Sequence, residues 1–299
     1  VAANARYHSK KGNALNSRNL DALLACIRAY LDSSEPQLRP LFEVMAAEAV
    51  FARDWLYDDL AQLPSSAALL EVGGGVFILS CQLASEGFAV TAIEPTGDGF
   101  GAFKQLGDIV LALAPVKPNI SRCMAEDFAS KERFDFAFSV NVMEHVDSPA
   151  EVITRISNVL KTGAKYRFLC PNYIFPYEPH FNIPTSITKH LTWRVMSRRI
   201  MSNPRVDDPI GLWQSINWIT VAKVRRFAAS DPRLTAYFRR TTLVWMLERA
   251  LDDDEFARRR APWMISIIRA AVAVRLHYLA SYLPAVLQPI MDVSLTKRQ

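Results

Sequence analysis

Hydrophobic positions along this chain change their spacing twice. Between residues 19 and 63, apolar side chains recur every three to four positions, the period of one helix face. Asn19-Leu20-Asp21 opens a first helical stretch that runs to Leu31, and Glu35-Pro36 opens a longer one ending near Leu63. Pro64-Ser65-Ser66 breaks the pattern. Short apolar runs then alternate with amphipathic ones at 68–72, 77–86, 89–93, 101–113, 119–123, 134–140, 150–160 and 166–170. Strand, helix and strand in regular succession predict a parallel sheet covered on both faces, and right-handed connections make it doubly wound. The expected fold class is therefore α/β.

Beyond Pro171 the regularity ends. Residues 172–184 are rich in aromatics and proline, which predicts a loop, while 186–201 reads as a basic helix and 218–228 as another. Residues 234–237 predict a strand returning to the sheet. The tail from 262 to 293 is strongly apolar, but Arg269, Arg275 and His277 interrupt it. A free-standing membrane span needs about 20 apolar residues, so packed or interfacial helices are expected there.

Composition narrows the class. With 299 residues, half of them hydrophobic, the chain can bury one large core, or one core and an appended subdomain. The first residues are polar and basic, with neither a signal peptide nor a membrane span in view, so the expectation is a cytoplasmic protein. Cys26, Cys81, Cys123 and Cys170 are far apart and form no CxxC pair, which argues against a zinc site or a disulfide framework and suggests small core residues. From Arg194 onward 18 Lys/Arg stand against 9 Asp/Glu, whereas the rest of the chain carries 17 against 21. The basicity thus belongs to the C-terminal third. Solvated helix faces account for it, and so does peripheral attraction to an anionic membrane face or substrate. Trp193, Trp213, Trp218, Trp245 and Trp263 are expected to pack this region, and with the nearby arginines they also suit an interface. No nucleic-acid recognition motif accompanies the charge.

The candidate chemistry begins in Leu69 to Ser80, LLEVGGGVFILS. In a doubly wound sheet, ligands sit beyond the carboxyl ends of the strands, and glycines there let backbone approach a ligand closely. Glu94 ends the next apolar run, nineteen residues after Gly75, where a carboxylate can accept two hydrogen bonds from a ribose diol. A dinucleotide site would want GxGxxG, and Ile78 stands where its third glycine should be, which disfavours a nicotinamide cofactor and an oxidoreductase.

LLEVGGG, the acidic strand end AIEP, CMAEDF, FDFAFSVNVMEHV and NVLKTGAKYRFLCPN follow one another between Ala68 and Asn172, over a third of the chain. Together they resemble the class I S-adenosylmethionine-dependent methyltransferases, which are Rossmann-like. The resemblance implies a division into an N-terminal helical cap (1–66), a cofactor-binding core (67–172), and a substrate loop with returning strands and a basic, apolar helical extension (173–299). It also implies roles. Glu71, Gly73, Gly74 and Gly75 would surround the methionine part of the cofactor, and Glu94 would hold the ribose. Met124, Ala125 and Glu126 would flank the adenine, and Asn141 with Val142 would meet the methionyl end. Phe77 stands where the family often has a third glycine, and Met124 where it often has an aspartate. Tyr7, His8, Lys10 and Lys11 precede the helices that form a lid in similar enzymes.

Methyl transfer from a sulfonium is an in-line displacement, so the protein mainly positions the reactants. An oxygen nucleophile also gains from a general base. His145, in NVMEHV, and His180, in CPNYIFPYEPHFNIP, are the candidates, each set against a structural role. Tyr173, Tyr177 and Glu178 are candidate substrate contacts, the alternative being a loop that packs its aromatics on the sheet. MEHV also resembles the ubiquinone-biosynthesis O-methyltransferases, in which an upstream acid joins the Glu-His pair to bind a metal. Here that position is Asn141, and Glu144 with His145 alone make a poor divalent site, so no metal is expected. The resulting expectation is a methyltransferase acting on a small-molecule or lipid-linked acceptor, with oxygen as the expected atom. The alternative is a non-catalytic cofactor-binding partner of a membrane-associated biosynthetic complex. Oligomeric state is not encoded in any pattern seen here.

Overall fold

Two helices and a single helical turn come first among the described residues: α1 (Asn16–Ser34), α2 (Arg39–Trp55) and α3 (Tyr57–Leu60). The computed structural model describes residues 16–95, 101–204, 206, 208–258 and 260–298. Tyr7, His8, Lys10 and Lys11, noted above as preceding these helices, lie outside the described residues. Sequence periodicity predicted one helix from Glu35 to Leu63, but the chain makes a 3-10 turn at Pro36–Leu38 and starts again at Arg39. Pro40 explains the restart, because it has no N–H to bond backwards and suits only the first turn of a helix.

The strand and helix alternation follows: β1 (Ala68–Val72), α4 (Ile78–Ser85), β2 (Ala89–Ile93), α5 (Gly101–Leu113), β3 (Asn119–Ser121) and β4 (Phe134–Val140). β1 pairs with β2 in parallel, Glu71 opposite Ala92 and Val72 opposite Ile93, and β2 pairs with β3 in parallel. Leu69, Leu70 and Val72 are fully buried, as in a strand covered on both faces. Every residue of α4 from Ile78 to Ala84 is buried, so its sequence shows no polar face. A bidentate Arg53–Glu86 ion pair joins α2 to the C-terminus of α4, with bonds of 2.7 to 3.0 Å.

After β4 come α6 (Pro149–Val159), β5 (Leu160–Pro171), the small hairpin of β6 (Tyr177–Glu178) and β7 (Ile183–Pro184), then α7 (Lys189–Met201), α8 (Pro209–Ser215) and α9 (Val221–Ser230). The chain closes with β8 (Leu234–Arg239), α10 (Thr242–Asp252), α11 (Asp254–Arg258), α12 (Pro262–Ala273) and β9 (Ile290–Lys297). The helix starts follow local chemistry. Ser148, Thr188 and Thr220 each accept a backbone N–H three residues on, from Glu151, Leu191 and Lys223.

Seven strands hydrogen-bond in the order β3-β2-β1-β4-β5-β9-β8, a mostly parallel sheet with flanking helices, as the periodicity predicted. The chain divides into two compact units: Val1–Met124 with Phe134–Phe136, and Ala125–Arg133 with Ala137–Gln299. In the second unit, β9 lies antiparallel between β5 and β8. β9 was not predicted. Its apolar residues alternate with polar ones that are also buried, so the run looks like part of an apolar tail. Asp292 and Ser294 are buried in it, and Asp292 accepts from Arg167 Nε at 2.9 Å, Arg167 Nη2 at 2.6 Å and Thr242 Oγ1 at 2.6 Å. Asn172, just past β5, donates its side-chain amide to the Val286 and Gln288 carbonyls and accepts from the Val221 N–H.

Two expectations about core residues need correction. Cys81 and Cys170 are buried, but Cys26 is exposed on α1 and Cys123 is half-buried. Trp213 and Trp218 are buried, whereas Trp263, in the first turn of α12, is 64% exposed. Among the described residues no single helix is long and apolar enough to cross a membrane. The 262–273 and 276–282 helices pass such a test only as a pair, bent by 92°.

Candidate active site

In the first unit the polypeptide leaves β1 through Glu71 and the three glycines. Gly73 and Gly75 have φ of 78° and 52°, left-handed conformations that glycine adopts without steric cost. The Gly73 and Gly74 N–H groups both donate to the Ile93 carbonyl, at 2.9 and 3.0 Å, which ties the turn to the end of β2. Gly75 N–H donates to Glu94 Oε2 at 2.7 Å. A β-carbon at Gly75 would meet nothing within 4 Å, so the turn presents bare backbone there. At Gly74 a β-carbon would come within 2.9 Å of the Phe77 ring and 3.1 Å of Ala92.

Phe77 resolves the missing third glycine. It holds φ 64° and ψ 12° at the start of α4, so the chain keeps the left-handed turn that glycine would make and pays for it in strain. The side chain is 1% exposed, packs beneath Gly74 and against Gly107, and carries the Arg122 guanidinium 4.9 Å above its ring.

Two carboxyls flank the turn. Glu71 is buried and accepts a hydrogen bond from Ser80 Oγ; burial pushes its pKa up to about 8, against the Ser80 bond, with the Glu94 charge adding to the rise. Glu94 is half-buried and its pKa is raised by burial, opposed by the Gly75 N–H and the Arg122 charge. A folding consequence follows from Glu71. The folded chain keeps this proton to about pH 8, while an unfolded carboxyl releases it near 4.5. Its contribution to stability is therefore complete below 4.5 and declines as pH rises to about 8. Glu71→Gln should flatten that part of the melting-temperature profile of the ligand-free protein; an unchanged slope would place the titration elsewhere.

The adenine candidates divide. Met124 is exposed, whereas Ala125 and Glu126 are buried. In the second unit Glu126 Oε1 accepts the Ser148 N–H at 3.1 Å, and its Oε2 is buried with no hydrogen-bond partner. Asn141 leaves β4 in the left-handed conformation, φ 55°, with its N–H on the Leu169 carbonyl at 2.8 Å; its side chain is exposed and Val142 is half-buried.

The segment after Asn141 brings together residues that sequence spacing keeps apart. Asn217 clamps it: the Asn217 side-chain amide donates to the Met143 and Val146 carbonyls at 2.8 and 2.7 Å, and its N–H donates to Glu144 O at 2.8 Å. Glu144 is wholly buried, and neither carboxyl oxygen has a hydrogen-bond partner. His145 and His180 meet edge to face with ring centroids 5.0 Å apart. One ligating atom from each of Glu144, His145 and His180 lies within 4.8 Å of the others. Burial raises Glu144 to about 7, opposed by His180. Burial, with His180 and Lys189 adding to it, lowers His145 to about 3. For His180 burial acts downward, but the hydrogen bond and charge of Glu178 and the charge of Glu144 prevail, and its pKa is raised.

Two of the substrate candidates are corrected. Tyr173 is 2% exposed and stacks on Trp218 at 4.6 Å, within an aromatic group that includes Trp213 and Phe181. Glu178 is 0% exposed and accepts the His180 and Phe181 N–H groups at 3.1 and 2.7 Å and His180 Nδ1 at 2.5 Å. Both organise the loop, because a buried carboxylate here is saturated by its own chain. Tyr177 is half-buried, with its hydroxyl on Asn182 Oδ1 at 2.5 Å. The sequence analysis missed Ser215, which bonds His145, and Asn217. Each lies about seventy positions downstream, and no local pattern marks either.

Sheet order, side-chain-free turn and acid at the end of β2 define a nucleotide-binding α/β protein of the methyltransferase kind. The family profile described as "Methyltransferase domain" matches residues 46–250, more than half of the sequence, and the chain belongs to that family. It is an S-adenosylmethionine-dependent methyltransferase. Uncharacterized protein Rv1509 of Mycobacterium tuberculosis (strain ATCC 25618 / H37Rv) is 66% identical over 288 residues, covering 96% of this chain and 98% of that protein. The ubiquinone biosynthesis O-methyltransferase of Xanthomonas axonopodis pv. citri (strain 306) is 26% identical over 164 residues, 54% of this chain and 64% of its own. Among solved structures, the plantazolicin methyltransferase BpumL in complex with SAH aligns at 10% identity and TM-score 0.47, over 96% of this chain and 100% of its own. Phosphoethanolamine N-methyltransferase 2 of Haemonchus contortus aligns at 15% identity and TM-score 0.47, over 91% of this chain but only 60% of that one.

The open backbone at Gly75 and the acid beside it fit the cofactor, since a side chain at Gly75 would fill the space a ligand needs. When bound, S-adenosylmethionine supplies an electrophilic methyl group on a sulfonium.

Proposed function

We propose that this methyltransferase acts on a hydroxyl of a small-molecule or lipid-linked acceptor. Glu71, Gly73, Gly74 and Gly75 hold the methionine part of the cofactor, Glu94 the ribose, Met124, Ala125 and Glu126 the adenine, and Asn141 with Val142 the methionyl end. The cap, core and extension keep the boundaries expected above. The observation that carries the reading is the bare Gly73–Gly75 backbone secured by Glu94, in a chain of the methyltransferase-domain family. Oxygen as the acceptor atom is supported by the Glu144, His145 and His180 cluster, whose lone pairs can manage a hydroxyl proton. Similarity to the ubiquinone biosynthesis enzyme points the same way. Within the cluster His180 suits proton transfer better than His145, which burial holds far below neutrality. Tyr177 and the exposed edge of Asn141 remain the candidate acceptor contacts.

Calorimetric titration with S-adenosylhomocysteine tests the cofactor half: wild type should bind and Glu94→Ala should bind more weakly, and no binding by wild type, or equal binding by both, would contradict it. His180→Ala is expected to lower turnover by about 10²–10⁴-fold, the range of general acid-base contributions, with cofactor affinity nearly unchanged. An equal loss of both would assign His180 a structural role only.

A second reading concerns place. Trp263, Ile267, Val274, Leu276, Leu279 and Tyr282 are exposed along the bent 262–282 segment, interspersed with Arg269 and Arg275. Apolar side chains with arginines between them suit the boundary of an anionic bilayer. This supports peripheral contact with the inner membrane face by a cytoplasmic protein, close to a lipid-linked acceptor. Wild type should sediment with anionic vesicles, and Trp263→Ser/Ile267→Ser/Leu276→Ser should not. Equal sedimentation of the two would rule this surface out.

A further inference from the structure

We propose that Glu144, His145 and His180 form a binding site for a divalent transition-type cation. The argument starts from the tautomers. The Ser215 hydroxyl is placed to donate to the Leu212 carbonyl at 2.9 Å, and in that arrangement it accepts from His145 Nδ1, also at 2.9 Å. His145 therefore carries its proton on Nδ1. Glu178 does the same for His180, because its carboxylate accepts from Nδ1 at 2.5 Å. In its neutral form each imidazole then offers an Nε2 lone pair.

The third donor is Glu144, whose two carboxyl oxygens are buried and have no hydrogen-bond partner. Three ligand atoms within 4.8 Å of one another, one of them on a buried carboxyl without a hydrogen-bond partner, make a place that a cation would satisfy. The arrangement has the outer support that metal-ligating histidines have, an Nδ1–H held by a hydroxyl or carboxylate that sets ring orientation. Asn217 adds to it by fixing the backbone on both sides of Glu144 and His145.

Two imidazoles and one carboxylate match zinc, cobalt, iron or manganese rather than calcium or magnesium, which prefer all-oxygen sets. Three protein ligands leave a coordination position open, the pattern of a site that takes an exogenous oxygen. A hydroxyl bound there would lose its proton more readily than in water. This departs from the expectation of no metal, which considered Glu144 and His145 with Asn141 and could not see His180 arriving from a loop 35 positions on. The site rests on these three ligands alone and stands whether or not the acceptor is a hydroxyl; with a cation bound, His180 is a ligand and the role of base given to it above passes from it.

The test uses the full chain, stripped with chelator and titrated with cobalt(II). Wild type is expected to take up about one equivalent with visible d–d absorption, and zinc should displace it. His180→Ala and Glu144→Gln should each abolish the band. Glu178→Gln keeps all three ligands but weakens the support of His180, and it should lower cobalt affinity about 10–100-fold. S-adenosylhomocysteine titration of each variant reports that the fold and cofactor site persist. No cobalt band in wild type, or equal uptake by the triple variant lacking all three ligands, would overturn the proposal while leaving the methyltransferase reading untouched.

Discussion

Phe77→Ala is expected to destabilise the protein by about 3–5 kcal/mol, the cost of emptying a large buried aromatic site, and to weaken S-adenosylhomocysteine binding as well. The ring supports the glycine turn from beneath: it stands where a β-carbon on Gly74 would be, and it also packs against Gly107 and Arg122. Without it the turn loses the surface that keeps Gly75 aimed at Glu94. Phe77→Gly makes the argument sharper. Glycine normally costs about 0.5–1 kcal/mol relative to alanine in an ordered element, but here it would relieve a left-handed strain of about 1–2 kcal/mol. Urea denaturation should therefore find the glycine variant at least as stable as the alanine variant. A clearly less stable glycine variant would mean that the φ of 64° carries no strain.

Asp292→Ala should cost about 3–5 kcal/mol, because it removes the carboxylate that accepts two hydrogen bonds from the buried Arg167 guanidinium. The pair is made by diagonal neighbours on one face of the β5 and β9 ladder, Leu169 standing opposite Asp292 and Ser294 opposite Arg167. Thr242 supplies a further donor to the carboxylate. The double variant Arg167→Met/Asp292→Leu is expected to regain much of the loss, since burying two apolar groups avoids the desolvation of two ions. Chemical denaturation of the three variants measures both quantities. If Asp292→Ala unfolds at the wild-type midpoint, the pair contributes nothing and β9 is held by its ladder and apolar contacts alone.

Much of the core was legible along the chain. The parallel strands announce themselves because both faces are covered, so Leu69, Leu70 and Val72 are all apolar although they point to opposite faces of the sheet. The glycine turn and Glu94 were legible for a different reason: backbone conformation and the end of a strand are local properties. Missed elements share the opposite character. β9 carries Asp292 inward because Arg167 and Thr242 satisfy it, and neither partner lies near in sequence. The restart at Pro40 is local, yet a continuous apolar face across it conceals the break.

By itself the sequence determined the order of strands and helices through the core, the left-handed glycines after β1, and the acid at the end of β2, since each depends on residues within a few positions of one another. Only the tertiary structure decided that Tyr173 and Glu178 turn inward, and that His180 reaches His145 above the buried Glu144 carboxyl. Those contacts join loops 35 to 70 positions apart, and the tautomers that make them chemically useful are set by hydrogen bonds from the ring Nδ1–H groups to Ser215 and Glu178. Spacing along a chain carries no record of such bonds, because their geometry exists only once the separate segments have packed.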